Sequence, residues 1–344
     1  MADRVIIAGA RRGPSVVPVR EIVQMAGRCA RDHYGDRGKV DIVVGSGEVQ
    51  KIRKQIKDPN SFIVKSQLDN DRYDEMFIHV LAEIARGAGN IAELDKWFSR
   101  SFFLFQTNRH LPMNAYVNIL KGMKMIKVKG ADISPTRLGM SASHHYYHPC
   151  HVHQWVENFD FVFRSHVSDI QAAWALSNIK TFGGSSMSSE QSKFAYGYWD
   201  EARREGLDMF PGTSVVGQVY YNLLRGKPNV GVTQKVRSIK FDFRRLISLL
   251  KDISSFCCWK SEFFDMIEFR IDKGIPYQLY SLCHALGISK HEAQTLTDLG
   301  IETPEEAAYQ DWDCDEYDEN YYLFQRIQKA AKQWTESQPD SSRK

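Results

Sequence analysis

Residues 24–31 read Gln-Met-Ala-Gly-Arg-Cys-Ala-Arg and close a segment, 19–31, with helical periodicity. Apolar Ile22, Met25, Ala26 and Cys29 recur at i, i+3, i+4 and i+7, the stripe of an amphipathic helix. Gln24, Arg28 and Arg31 fall on a second stripe opposite the first. Two guanidiniums displayed at a helix end suit phosphoryl transfer, where charge builds on the γ-phosphate oxygens and arginine offers planar, permanently charged donors. A basic surface helix with solvated arginines has the same spacing. On either side lie two short apolar runs, Val5-Ile6-Ile7-Ala8 and residues 40–44, as in strands buried on both faces of a parallel sheet. Residues 10–18, with Gly13, Pro14 and Pro18, read as a loop or distorted hairpin. Two strands and one helix are too few for a stable α/β layer, so this stretch reads as the end of a domain that starts elsewhere.

Downstream the texture changes. Residues 76–85, 91–98 and 112–121 are helical by pattern; residues 125–129, a Gly130-Ala131-Asp132 turn and 133–138 form a hairpin. Three helices and a two-stranded wing make a winged-helix order. From 150 to about 309 helical periodicity dominates, with a Gly/Ser-rich linker at 183–189. A long helix is expected over 241–264, with Leu246, Leu249, Leu250, Ile253 and Cys257 as its core stripe. Arg245, Ser248, Asp252, Ser255 and Trp259 form the opposite stripe. Two short helices, 276–285 and 289–299, flank Leu286-Gly287-Ile288-Ser289-Lys290. Beyond 310 the acids Asp311, Asp313, Asp315, Glu316, Asp318 and Glu319 read as a solvated face, followed by a short helix.

The bulk properties set limits. With 344 residues, 43% of them hydrophobic, and a net charge of +3, nucleic acid is neither demanded nor excluded. The six cysteines lack CxxC spacing, and adjacent Cys257 and Cys258 read as buried free thiols in a reducing compartment. No run is long and apolar enough to span a membrane, and Met1 to Ala10 leads into Arg11 and Arg12 rather than forming a signal peptide. The expected location is the cytoplasm or nucleoid, or a host cytoplasm for a viral chain. The segment His144-His145-Tyr146-Tyr147-His148-Pro149-Cys150-His151-Val152-His153 offers zinc-ligand types without a second cluster at finger spacing, so no metal is assigned.

The pattern Gln-x-x-Gly-Arg-x-x-Arg resembles motif VI of superfamily-2 helicases, and Gln24-Met-Ala-Gly-Arg28 is similar to the HelQ/Hjm group of DNA-repair helicases. Ala30 stands where that family usually has a second glycine. The resemblance implies a mainly α chain with a partial α/β portion: a truncated second RecA-like domain (1–66), a winged helix (67–148), a helical ratchet domain (149–275), a helix-hairpin-helix (276–310) and an acidic tail (311–344). It implies the C-terminal module of an ATP-dependent 3′–5′ DNA helicase, with Gln24, Arg28 and Arg31 as its catalytic groups.

Arg11 and Arg12 would lie in the strand-separating hairpin of that family. Its ratchet helix sets an arginine on phosphate, matched by Arg244 and Arg245, and an aromatic two turns later, where this chain has Asp252. Trp259 lies on the same stripe, roughly 21 Å from Arg245 at 1.5 Å per residue, as a base-stacking residue or as bundle core. Gly287, Ser289 and Lys290 would turn backbone N–H groups to a DNA phosphate, although Ser289 replaces the family's second hairpin glycine. A plain αα-hairpin fits equally.

No G-x-x-x-x-G-K-[ST] loop and no Asp-Glu-x-His box occur in the sequence. The chain alone is therefore not expected to hydrolyse ATP, and ATP and Mg²⁺ belong to a complete enzyme. The implied partners are single-stranded or branched DNA and a polypeptide or preceding segment carrying the first RecA-like domain. Two other readings stand beside this one: a non-enzymatic DNA-binding or adaptor protein derived from a helicase, and a relative of RNA helicases.

Overall fold

The computed structural model describes residues 4–12, 15–29, 38–62, 66, 68, 75–180, 188–210, 212–311 and 321–338. The chain is mainly helical and divides into two compact units, 1–71 with 101–109, and 72–100 with 110–344.

In the first unit, β1 (Arg4–Ala8) is followed by the hairpin β2 (Arg11–Arg12) and β3 (Ser15–Val16), then α1 (Val19–Ala26), β4 (Lys39–Val43) and α2 (Val49–Lys57). β1 pairs parallel with β4, Ile7 opposite Ile42, and β2 pairs antiparallel with β3. Ile7, Ala10, Val17, Ile22 and Ile52 form its core. The expectation of strands buried on both faces is corrected: Ile6 and Val43 are exposed, because a two-stranded sheet here has one covered face.

The helix expected over 19–31 is also shorter. It stops at Ala26, where Gly27, poor at propagating a helix, still donates to the Val23 carbonyl. The next amides, of Arg28 and Cys29, turn to the carbonyls of Met25 and Ala26, three residues back. Met25, placed on the apolar stripe, is exposed.

The second unit opens with α3 (Met76–Arg86) and α4 (Ile91–Phe98), the latter capped by the Asn90 side chain on the Glu93 N–H. The next helix, α5 (Phe102–Thr107), belongs to the first unit, so the winged-helix span expected at 67–148 is interrupted there. Helix α6 (Met113–Gly122) leads into the antiparallel hairpin β5 (Ile126–Lys129) and β6 (Asp132–Pro135), and then to α7 (Arg137–His144). Gly139 lets α7 lie against the hairpin. Any Cβ there would collide with the Met125 carbonyl, and the Thr136 hydroxyl caps the helix by accepting from the Gly139 N–H at 3.0 Å.

The helical bundle contains α8 (Pro149–Val162), α9 (Asp169–Ser177), α10 (Ser189–Arg204), α11 (Ser214–Leu224), α12 (Thr233–Cys257) and α13 (Ser261–Lys273). Ser168 and Ser188 start α9 and α10 with capping boxes closed by Gln171 and Gln191. Most of the Gly/Ser linker expected at 183–189, residues 183–187, lies outside the described residues. Trp155, Phe159, Tyr198, Val219, Leu250 and Phe264 are fully buried. Arg270 on α13 is only 1% exposed. It donates to both carboxylate oxygens of Asp169 at 2.8 and 2.9 Å, to the Leu224 carbonyl at 2.8 Å and to the Ile275 carbonyl at 3.3 Å. A buried guanidinium is tolerable only with its donors satisfied in this way.

Four further helices, α14 (Tyr277–Leu286), α15 (Lys290–Asp298), α16 (Pro304–Tyr309) and α17 (Tyr321–Ser337), share one apolar core that includes Leu282, Leu296, Ala307, Phe324 and Ile327. The boundary drawn at 310 is thereby corrected. The segment beyond it supplies α17, whose Phe324, Ile327 and Ala331 are buried at i, i+3 and i+7, the helical stripe of a core element. Asp311 is exposed; Asp313, Asp315, Glu316, Asp318 and Glu319 lie outside the described residues.

Candidate nucleic-acid interface

In the first unit Gln24 and Arg28 are exposed, Gln24 in the last turn of α1 and Arg28 just past its end. Gln24 and Arg28 therefore do not share one continuous helical stripe, because the chain leaves α-helical geometry at Gly27; Arg31 lies outside the described residues. Arg11 donates through Nε to Glu48 at 2.8 Å. Arg12 sits in β2 opposite Ser15, and its side chain is outside the described residues.

The second unit concentrates its candidate contacts on α12. Arg245, Ser248, Asp252 and Ser255 are exposed, and Leu246, Leu249, Leu250 and Ile253 are buried, as an amphipathic helix requires. The two adjacent arginines differ in surroundings. Arg244 pairs with Asp272 at 3.2 Å and lines a cleft of about 710 Å³ that also carries Asp265 and Glu268, so its field is locally neutralised. Arg245 instead lies over the ring of Tyr147, 4.2 Å from its centroid. Burial pushes the Tyr147 phenol up, and the Arg245 guanidinium beside it pulls against that. The stack holds Arg245 in place on the exposed side of α12. Two turns along, Asp252 meets His145 at 3.5 Å. Desolvation holds the His145 imidazole below its usual range, although Asp252 works in the opposite direction.

Trp259 is core, and its stacking role on DNA is corrected. The helix does not run on to 264: it ends at Cys257, and Cys258 takes a left-handed conformation (φ 59°) that turns the chain. Trp259 leaves the exposed stripe for the rings of Phe159, Phe163 and Phe264, and its indole N–H donates to Asp160 at 2.8 Å. The same turn leaves Cys258 exposed and Cys257 half-buried, so the adjacent thiols are not both buried as expected. Desolvation raises the Cys257 thiol to about 11.

The Gly287–Lys290 hairpin is internally committed. Gly287 takes the left-handed cap position (φ 65°). Ser289 forms a capping box: its hydroxyl accepts from the Glu292 N–H, and its own N–H donates to Glu292 at 2.7 Å. Lys290 donates through Nζ to the Gly226 carbonyl at 2.6 Å. Glu292 also pairs with Arg326 of α17, which puts an acid where a phosphate would approach. These bonds give Ser289 and Lys290 structural roles in the hairpin, as a plain αα-hairpin would, while both side chains stay exposed.

The histidines near 150 serve separate local roles. His148 Nδ1 accepts from the Cys150 N–H at the start of α8, His153 faces Glu157 at 3.3 Å, and burial holds the His151 imidazole down to about 4. Among the described residues no group of three His, Cys, Asp or Glu side chains is arranged to hold a metal ion. Sequence reasoning assigned Tyr146 and Tyr147 only to a domain junction, and no periodic signal marks them. It also passed over Tyr196 and Trp199, exposed on α10 with rings 6.4 Å apart and Arg203 over Trp199. Their i, i+3 spacing on a polar helix was the available sign. The chain matches no protein-family model and no curated protein.

Proposed function

We propose that the chain is a DNA-binding module of helicase type, the C-terminal part of an ATP-dependent 3′–5′ DNA helicase that relies on a separate nucleotide-binding half. The observation that carries this reading is Arg245, exposed on a 25-residue helix and fixed by its stack on Tyr147. A single-stranded backbone laid along α12 would meet one oriented, permanently charged donor there. Gln24 and Arg28, exposed at the end of a helix packed on a parallel strand pair, support the same reading, because a motif VI arginine must project from its own domain toward a nucleotide held by another.

The test is fluorescence anisotropy of the purified chain on a labelled oligothymidine across several salt concentrations. Arg245→Ala is expected to weaken binding and to lower the slope of log K against log salt by about 0.7, one single-strand phosphate contact. Arg244→Ala, whose charge is already matched by Asp272, should leave that slope nearly unchanged. Equal effects of the two variants, or none from either, would remove α12 from the interface. A second arm measures ATP hydrolysis by the chain alone. None is expected, with or without DNA, and turnover surviving contaminant controls refutes the division of labour.

A further inference from the structure

We infer that Tyr146 is a base-stacking residue, set at the end of α7 beside the exposed stripe of α12; this rests on the reading of α12 as a single-strand contact. Tyr146 has φ 55°, in the left-handed region. The turn closes in the Schellman pattern, with the Tyr146 N–H donating to the Ser143 carbonyl at 3.1 Å and the Tyr147 N–H to the Ala142 carbonyl at 3.0 Å. Glycine fills that position without steric cost and asparagine is the usual second choice, whereas a bulky aromatic there is an outlier. Packing does not account for the tyrosine either, since the residue is 62% exposed. The backbone would be better served by glycine, and the core makes little use of the ring.

Its neighbours fix where it stands. His145 reaches Asp252, and Tyr147 lies under Arg245. Those two partners are two turns apart on α12, about 10 Å at 1.5 Å per residue. The Tyr146 backbone therefore lies beside the stretch of α12 between Arg245 and Asp252. A cation for the phosphate and an exposed π-face for a neighbouring base are the two parts of a single-strand site, and the stack accepts any base. Strain retained at an exposed residue beside a binding group is where functional side chains concentrate.

Tyr146→Gly and Tyr146→Phe, with Arg245→Ala alongside, separate this from an accident of the turn. Melting temperature and anisotropy on labelled oligothymidine are both read. Tyr146→Gly should raise the melting temperature by a few degrees, because it relieves the backbone. It should also weaken oligonucleotide binding about 5- to 150-fold at an unchanged salt slope, the loss of one base–aromatic stack. Tyr146→Phe should keep the affinity. Unchanged affinity in Tyr146→Gly while Arg245→Ala weakens binding overturns this inference alone. Equal losses in the glycine and phenylalanine variants also overturn it, because the hydroxyl and not the ring would then carry the contact. No binding by the unsubstituted chain, or no effect of Arg245→Ala, overturns it together with the reading of α12.

Discussion

Replacing Trp259 by alanine and by phenylalanine separates a tryptophan that holds the bundle from one that reads DNA. The residue is 8% exposed, and the rings of Phe159, Phe163 and Phe264 stand 5.5, 5.8 and 5.8 Å from its own. Truncating a buried Trp to Ala costs about 3–5 kcal/mol, from lost transfer energy and the cavity left behind. Loss of the bond to Asp160 adds no more than about 1 kcal/mol, because that carboxylate is exposed and recovers water. At roughly 2–4 °C per kcal/mol for a domain of this size, Trp259→Ala should lower the melting temperature by about 6–20 °C. Phenylalanine keeps most of the ring contact and loses one hydrogen bond, about 1 kcal/mol, or a few degrees. Far-ultraviolet circular dichroism on heating gives the stabilities, and oligonucleotide anisotropy gives the affinities. The refuting result is a Trp259→Ala protein that melts like the parent but binds DNA at least fivefold more weakly.

Arg270→Leu should cost about 3–5 kcal/mol in urea unfolding, because it leaves Asp169 and two carbonyls without their donor; a loss under 1 kcal/mol would show that these groups find other partners. Gly139→Ala should destabilise by about 1–3 kcal/mol through its collision with the Met125 carbonyl, whereas Gly122→Ala, with open space around it, should be neutral or stabilising; equal melting points for the two variants would contradict the close approach of α7. Burial holds the folded-state pKa of His151 at about 4, against 6.5 for the unfolded chain. The unfolded state then takes up the proton first, so this contribution to stability is intact above about pH 6.5 and is lost as pH falls toward 4. The melting temperature of His151→Gln should fall less steeply across that window; a parallel fall would assign the acid sensitivity elsewhere, for instance to His145, which shifts in the same direction.

Much of the fold follows from periodicity that can be read in one dimension. The helix at 91–98, the turn at Gly130 and the buried stripe of Leu246, Leu249, Leu250 and Ile253 are all set by local patterns. The failures fall where a single backbone event outranks the pattern. Gly27 ends α1 before Arg28, and Cys258 ends α12 before Trp259, although the apolar residues continue in helical register beyond both points. A left-handed Cys258 leaves no mark in the sequence, since nothing about cysteine predicts it. α17 was legible as a helix but not as core, because the acid run before it reads as a solvated tail, whereas the helix packs back on Leu282 and Ala307. Of the candidate site, Arg245 could be named from its stripe. Tyr147, which orients it, could not, because the contact joins α7 to α12 across almost a hundred residues. The commitment of Lys290 to Gly226 was hidden for the same reason.

Arg270 bears on how the second unit transmits force. Apolar side chains in contact can slide past one another at little cost, since dispersion has no preferred direction. A guanidinium bonded to a carboxylate and two carbonyls resists shear, because each bond weakens steeply once its angle opens. Asp169 belongs to α9, Leu224 to α11, and Ile275 to the turn that leads from α13 into α14. A pull on α14 is therefore delivered to two helices of the bundle through directional bonds at one point. The C-terminal helices and the bundle are pinned there like linkage arms on a single rivet, and tension applied at one end of the unit reaches the other without first being taken up as slippage in the core.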